Sequence, residues 1–281
     1  KAMLPYLQER FGNPSSLYSL GREAKAAIEE ARLKIAKILN CAGSEIIFEG
    51  SGTEADNQAL IGTALANSTR GNHIITSAIE HHAVLHACEF LETQGFAVTY
   101  LPVDKEGLVR LDLLAESITT DTILVSIIYA NNEIGVIQPL AEIAKIIKAK
   151  NPKILFHTDA CQAAGYLDLN IEQLGVDLMA INGSKIYGPK GAGALYVKAG
   201  TAIQPIIHGG AQEASRRAGT ENTAGIVGLA TALELAQQNK SKESRRLLKL
   251  RDRLIDGLLK IPQVVLNGST DKRLPGNVNV T

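Results

Sequence analysis

Five short segments hold side chains whose type and spacing could do chemistry. Lys185 sits in Asn182-Gly183-Ser184-Lys185-Ile186-Tyr187-Gly188-Pro189-Lys190-Gly191, after an apolar run and before a Gly-Pro turn. A lysine at a ligand cleft can be desolvated, lose proton affinity and form Schiff bases; Lys190, inside the turn, reads as solvated by comparison. Asp159 opens Asp159-Ala160-Cys161-Gln162 at the end of another apolar run. A carboxylate there needs a partner, because an unpaired buried charge is costly. A protonated ring nitrogen would serve, and so would a structural ion pair or a helix cap. In Gly50-Ser51-Gly52-Thr53-Glu54 the glycines would let backbone N–H groups approach a phosphate at a helix start. The Thr53 hydroxyl could cap that helix or bind a phosphate oxygen. The segment lacks the Gly-Lys-Ser/Thr of a P-loop and the third glycine of a dinucleotide fingerprint, and a plain tight turn with a cap explains it equally well.

His81, in Glu80-His81-His82, precedes a helix where an imidazole could stack on a flat ligand or simply lie at the surface. His82 and His86 have the four-residue spacing of a metal pair, but no third ligand accompanies them and no metal is expected. Asn131-Asn132-Glu133 could hydrogen-bond a ligand oxygen or form an ordinary turn.

The elements that must position these residues alternate. Ile46–Glu49, His73–Ser77, Ala97–Leu101, Thr122–Ile128, Ile154–Thr158 and Val176–Ile181 read as strands. Helical spacing marks Thr53–Leu65, Ala83–Gln94, Leu111–Ser117 and Leu140–Lys150, with an opening helix over Leu20–Leu39. A long last helix spans Thr223–Leu259, with Asn239 a candidate break. Apolar strands alternating with helices predict an α/β fold with a mostly parallel sheet flanked by helices on both faces. In such sheets ligands bind beyond the carboxyl ends of the strands, which is where all five segments fall. The basic stretch Lys240–Arg253 reads as a solvated helix face rather than a docking surface for an acidic partner.

Composition excludes several classes. The 281 residues carry 29 basic and 29 acidic side chains, so no basic excess marks a nucleic-acid or membrane-surface binder. Aromatics are 4% with no Trp, which argues against base-stacking platforms. The longest apolar run falls well short of the ~18–20 residues that span a bilayer. Three isolated cysteines, Cys41, Cys88 and Cys161, indicate neither a disulfide framework nor a zinc knuckle, and a reducing, cytoplasmic setting is expected. No signal peptide is read. The chain starts at Lys1 and stops at Thr281 in a strand-like run, so both ends read as cut.

A phosphate cradle, a stacking imidazole, an acid for a ring nitrogen and a lysine together meet the requirements of pyridoxal phosphate. Phe11–Ser16, Gly50–Asn57, Thr76–Val84, Asn131–Gln138, His157–Ala163, Gly183–Gly193 and Ser215–Thr223 resemble, in order and spacing, the cysteine desulfurases of the class V aminotransferase group. The resemblance implies the large domain of a fold-type I pyridoxal-phosphate enzyme with a seven-stranded sheet, over residues 1–261, and the start of a small domain over 262–281. It implies that Gly52 and Thr53 bind phosphate, His81 stacks on the pyridine ring, Asn132 and Gln162 lie near the ring hydroxyl, Asp159 pairs with the ring nitrogen and Lys185 forms the Schiff base. Thr220 would reach the phosphate of a neighbouring subunit, making a homodimer with shared sites, and Arg217 would serve the substrate or the interface. The implied reaction takes sulfur from L-cysteine, leaving L-alanine and an enzyme persulfide for an iron–sulfur scaffold or another sulfur acceptor.

Two departures stand out. Asn182-Gly183-Ser184-Lys185 replaces the commoner Ser-Gly-His-Lys, with Asn182 and Ser184 still able to donate to phosphate. The family's nucleophilic cysteine and substrate-carboxylate arginine are expected beyond the position of Thr281, and an opening strand before Lys1, so none of the three cysteines is expected to carry the persulfide. A selenocysteine lyase, an aminotransferase of the same group, and a truncated form inactive for desulfuration are the alternatives.

Overall fold

The computed structural model describes residues 1–281. Seven strands form one sheet: β1 (Ile46–Glu49), β2 (His73–Ser77), β3 (Ala97–Leu101), β4 (Thr122–Ser126), β5 (Leu155–Asp159), β6 (Leu178–Asn182) and β7 (Gly193–Val197), in the order β1-β7-β6-β5-β4-β2-β3. Only β7 runs antiparallel to its neighbours. The carboxyl ends of the other six strands therefore lie along one edge, together with the amino end of β7.

Most strand residues are buried because helices cover both faces. On one face, α2 (Ser19–Leu39), α6 (Leu111–Ser117), α7 (Leu140–Lys150), α8 (Ile171–Leu174) and α10 (Thr223–Leu258) enclose the larger core around Ile35, Phe156, Met179 and Tyr196. The opposite face is covered by α3 (Gly52–Asn57), α4 (Thr63–Asn67) and α5 (His82–Thr93), around Leu60, Ile74, Val84 and Leu91. A π-helical turn, Gln58–Gly62, joins α3 to α4. α1 (Leu4–Gln8) and a short turn, α9 (Gln212–Ser215), complete the helices. In α2 the buried Ala24, Ala27, Ile28, Ala31, Ile35 and Leu39 form the apolar stripe expected at helical spacing.

The sequence places most elements correctly and shifts a few. β4 ends at Ser126 rather than Ile128, because the Ile128 N–H leaves the ladder and donates to Glu80 Oε1 at 2.9 Å. β5 and β6 each run one residue further, so Asp159 and Asn182 close their strands. β7 lies outside the six runs read as strands; its Gly193-Ala194 start has weak strand propensity, but a Cβ at Gly193 would meet Ser51 O at 2.6 Å, so glycine admits the close approach to the Gly50–Gly52 loop. α10 is continuous through Asn239, whose Nδ2 donates to Leu235 O within the helix. Its Lys240–Arg253 stretch is solvated and laced by pairs such as Arg246–Glu243. Residues 262–281 pack on the loop after β4: Val136 bridges Arg273, and Asn277 Nδ2 donates to Glu133 O at 2.8 Å. Val280 makes a single bridge to Leu266 rather than a strand.

Candidate active site

The sheet topology brings the sequence-selected segments to one edge. Gly50–Thr53 follows β1, Ala78–His81 follows β2, Asp159–Gln162 closes β5, Asn182–Lys185 closes β6, and Asn131–Glu133 lies beyond β4. Three of these segments touch: a Cβ on Gly52 would lie 2.6 Å from Cys161 Sγ and 2.8 Å from Asn182 Nδ2. Glycine is required there by close approach, since Gly52 has ordinary helical geometry.

Ser51, not Thr53, caps α3: its Oγ accepts from Glu54 N at 3.0 Å. Thr53 is exposed and its hydroxyl is uncommitted. Asn182 Oδ1 accepts from Lys185 N at 3.2 Å and Ser184 Oγ at 3.4 Å, which shapes the turn carrying the lysine. Lys185 is exposed and its ammonium has no ion pair or hydrogen bond. His81 caps α5, with Nδ1 accepting from Ala83 N at 3.1 Å. That bond fixes the ring at the helix start and assigns the proton of the neutral imidazole to Nε2. Asn132 is exposed, Gln162 is half-buried, and neither side chain makes a hydrogen bond.

Asp159 is buried yet has no ion pair; Oδ1 accepts from Cys161 N at 2.8 Å. Burial lifts its carboxyl above the usual range, while the Cys161 N–H, His81 and Lys185 pull it back. The neighbouring Cys161 thiol is pushed well up by burial and by Asp159. Burial also lifts Cys41 and Cys88 to about 12, so none of the three thiols is set up as a thiolate.

Arg217 is tied rather than free. Its Nε lies 2.7 Å from Glu54 Oε1 and 3.7 Å from Glu49 Oε2. Burial and the adjacent Glu54 push Glu49 up to about 10, while the neighbouring Glu49 and the Arg217 guanidinium hold Glu54 low against the opposing effect of burial. Thr220, three residues on, is exposed and its hydroxyl is unpaired.

Clefts flank this edge. One of 270 Å³ is lined by Glu80, His81, Asn131 and Asn132. Another of 320 Å³ is lined by Tyr166, Lys185, Tyr187 and Arg246. The largest groove, 1540 Å³, lies between the α2 end, Lys148 and Lys198, by the amino ends of the parallel strands and away from these groups. His82 and His86 have ring centroids 5.2 Å apart, but no three ligating side chains gather there.

Sequence reasoning passed over a buried layer below the edge: Asp56, Glu80, His157 and Glu49. Asp56 carried a readable signal, since it interrupts the buried stripe of Ala55, Ala59 and Leu60 in the helix. Glu80 lay beside a selected histidine, and His157 two residues before a selected acid.

An open α/β sheet with an unpaired acid and a free lysine at its carboxyl edge is the architecture of a cofactor-dependent enzyme of small molecules. The family model "Aminotransferase class-V" matches residues 1–281. A cysteine desulfurase IscS of Methanosarcina thermophila is 57% identical over 281 residues, covering 100% of this chain and 69% of that protein. The IscS cysteine desulfurase of Dictyoglomus turgidum is 55% identical, over 99% of this chain and 71% of that protein. Among solved structures, a NifS-like protein superposes with a TM-score of 0.97 at 40% identity, covering 100% of this chain and 76% of its own. A structure described as SspA in complex with cysteine gives 0.87 at 36% identity, covering 100% and 78%. The chain belongs to the class V aminotransferase family, among its cysteine desulfurases. No helix is long and apolar enough to cross a membrane.

Proposed function

We propose that the protein binds pyridoxal phosphate at the carboxyl edge of its sheet and takes part in removing sulfur from L-cysteine, with L-alanine as the other product. The observation that carries this is Asp159: a buried acid with one N–H donor and no ion pair, at the strand end beside a free lysine. That donor set fits a cationic ring N–H, and the tight Gly52 contact fits a backbone cradle with no room for a side chain.

When bound, pyridoxal phosphate supplies an electron sink for charge developing on the Cα of an amino acid. Lys185 Nζ would hold the cofactor and, once released by the incoming amino acid, would move a proton at its Cα. Asp159 keeps the ring nitrogen protonated, and its burial strengthens that pairing by excluding water. His81, fixed by its Nδ1 bond to Ala83, offers its ring face as a stacking surface and restricts access from the β2 side. Gly52, Thr53, Asn182 and Ser184 take the phosphate, and Asn132 and Gln162, both uncommitted, face the ring substituents. Thr220, exposed and unpaired, serves a partner's phosphate in a homodimer. L-Cysteine as substrate draws support from the relatives named cysteine desulfurases and from the SspA structure that contains cysteine. A persulfide passed to an iron–sulfur scaffold or another acceptor is the matching outcome, and residues 262–281 begin a second, smaller domain.

The test is Lys185→Ala. Loss of the visible absorbance of bound cofactor, together with loss of L-alanine formation by the full-length protein, supports the reading. A variant that keeps both refutes it. Thr220→Ala should weaken cofactor retention only in the dimer.

A further inference from the structure

Below the edge of the sheet, Asp56, Glu80 and Asp159 are 1%, 6% and 5% exposed. Three ionised carboxylates cannot persist in one dry region without cations, so protons must be shared out among them. Glu80 accepts at Oε1 from Ser77 Oγ, at 2.6 Å, and Ile128 N, at 2.9 Å; burial, with some help from Asp159, still lifts it to about 8. Asp56 accepts no hydrogen bond. Its Oδ1 faces His157 Nε2 at 3.5 Å, and both atoms are otherwise without partners. His157 is fully buried, and its Nδ1 lies 2.9 Å from Ser126 Oγ.

The alternatives for His157 differ in what they leave beside Asp159. A neutral imidazole has one N–H and one bare nitrogen. With the proton on Nδ1, the ring donates to Ser126 Oγ, and the bare Nε2 requires a donor, which only the acid form of Asp56 supplies. With the proton on Nε2, Asp56 would be the acceptor: as a carboxylate it adds a second buried negative charge close to Asp159, and as an acid it leaves its own proton without a partner. Burial favours the first arrangement by raising Asp56, helped by Asp159 and Glu80, and it excludes an imidazolium in either one by lowering His157 to about 3. His157 and Asp159 sit two apart on β5 and face the same side, under α3, which carries Asp56. Asp, His and Ser in line serve nucleophilic catalysis elsewhere, but Ser126 is fully buried and no substrate reaches it.

We infer that Asp56 keeps its proton in the working protein, donates it to His157 Nε2, and so acts as a positioning residue that leaves Asp159 as the ionised acid of the site. The inference rests on the reading of Asp159 as the acid that faces a ring nitrogen. Two arms test it. Selective ¹⁵N-histidine NMR of the full chain, with His157 assigned through His157→Gln, should show a protonated Nδ1 and a bare, hydrogen-bonded Nε2 that do not titrate between about pH 6 and 9. A protonated Nε2 or an imidazolium overturns the inference, whether or not the cofactor binds. In protein loaded with pyridoxal phosphate, Asp56→Leu removes the only donor to Nε2. It should weaken cofactor affinity at least about tenfold and displace the pH profile of the visible absorbance. Asp56→Asn, whose amide can donate in place of the acid, should restore both. Affinity and profile unchanged in Asp56→Leu, or a profile in Asp56→Asn as displaced as that of Asp56→Leu, overturns it. Wild-type protein that fails to bind pyridoxal phosphate refutes the proposed function instead, and the NMR arm then decides on the Asp56 proton alone.

Discussion

Replacing Glu213 with Gln should unfold the molecule more easily, because it removes one charge from a buried, two-pronged ion pair. Arg32 Nη1 and Nη2 each donate to Glu213 at 2.8 Å, with side chains 12% and 3% exposed. Glu213 also accepts from Phe48 N at 2.9 Å. A glutamine can keep the Phe48 bond and one bond to Arg32, but it turns an amide donor towards the second guanidinium donor. Losing one partner of a buried pair costs about 3–5 kcal/mol, because the other charge is stranded. Arg32 retains Ile46 O at 2.8 Å, the more exposed Glu29 at 3.3 Å and the Phe48 ring face, with its centroid 4.7 Å away, so the lower end, about 3 kcal/mol, is expected. Urea unfolding measures this, with Arg32→Met and the double variant closing the cycle. The double variant strands no charge, so it should be less destabilised than the sum of the single variants by about 2 kcal/mol. A Glu213→Gln loss below about 1 kcal/mol, or a coupling near zero, would show that the pair does not anchor the segment leading to Arg217 and Thr220.

Three further outcomes are expected. Ser215 is the last of three consecutive non-glycine residues with positive φ, at 63°; Ser215→Gly should raise stability by up to about 1 kcal/mol in the same urea assay, strain relief outweighing the added freedom of the unfolded chain. Cys41, Cys88 and Cys161 should react slowly with an alkylating reagent near pH 8 when folded and quickly in urea, as mass spectrometry can count; rapid labelling of Cys161 in the folded protein would contradict its burial beside Asp159. Stability should fall as pH rises from about 5 to 8, because Glu49 and Glu80 hold protons in the folded state that the unfolded chain has released, their folded values being about 10 and about 8 against 4.5. Glu80→Gln should remove about one proton from that slope. Below pH 6.5 the trend from His157 runs the other way, since the unfolded chain takes up a proton that the folded state refuses down to about 3.

The residues proposed to meet a ligand were legible because strand ends concentrate polar groups at the edges of apolar runs. Asp159, Asn182 and Lys185 follow buried β-branched stretches, and the alternating pattern alone puts them on one edge. By sequence Thr53 is open between capping α3 and binding phosphate; Ser51 takes the cap, because Thr53 already lies inside the helix and only the backbone geometry fixes where it starts. β7 escaped because its Gly193-Ala194 start exists for close approach to Ser51, which strand propensity does not register. The proton-holding layer of Asp56, Glu80 and His157 was not legible as a set: residues far apart in sequence become neighbours only when α3 packs across the sheet. The continuity of α10 through Asn239 reflects its packing on α2, which overrides one residue's weak preference.

The most direct test of the account is to load the protein with pyridoxal phosphate, reduce it with borohydride and map the modified peptide by mass spectrometry. The expected result is a single pyridoxyl group on Lys185, absent from Lys185→Ala. A pyridoxyl group on Lys190 or another lysine, or none on wild-type protein under the same conditions, would contradict it.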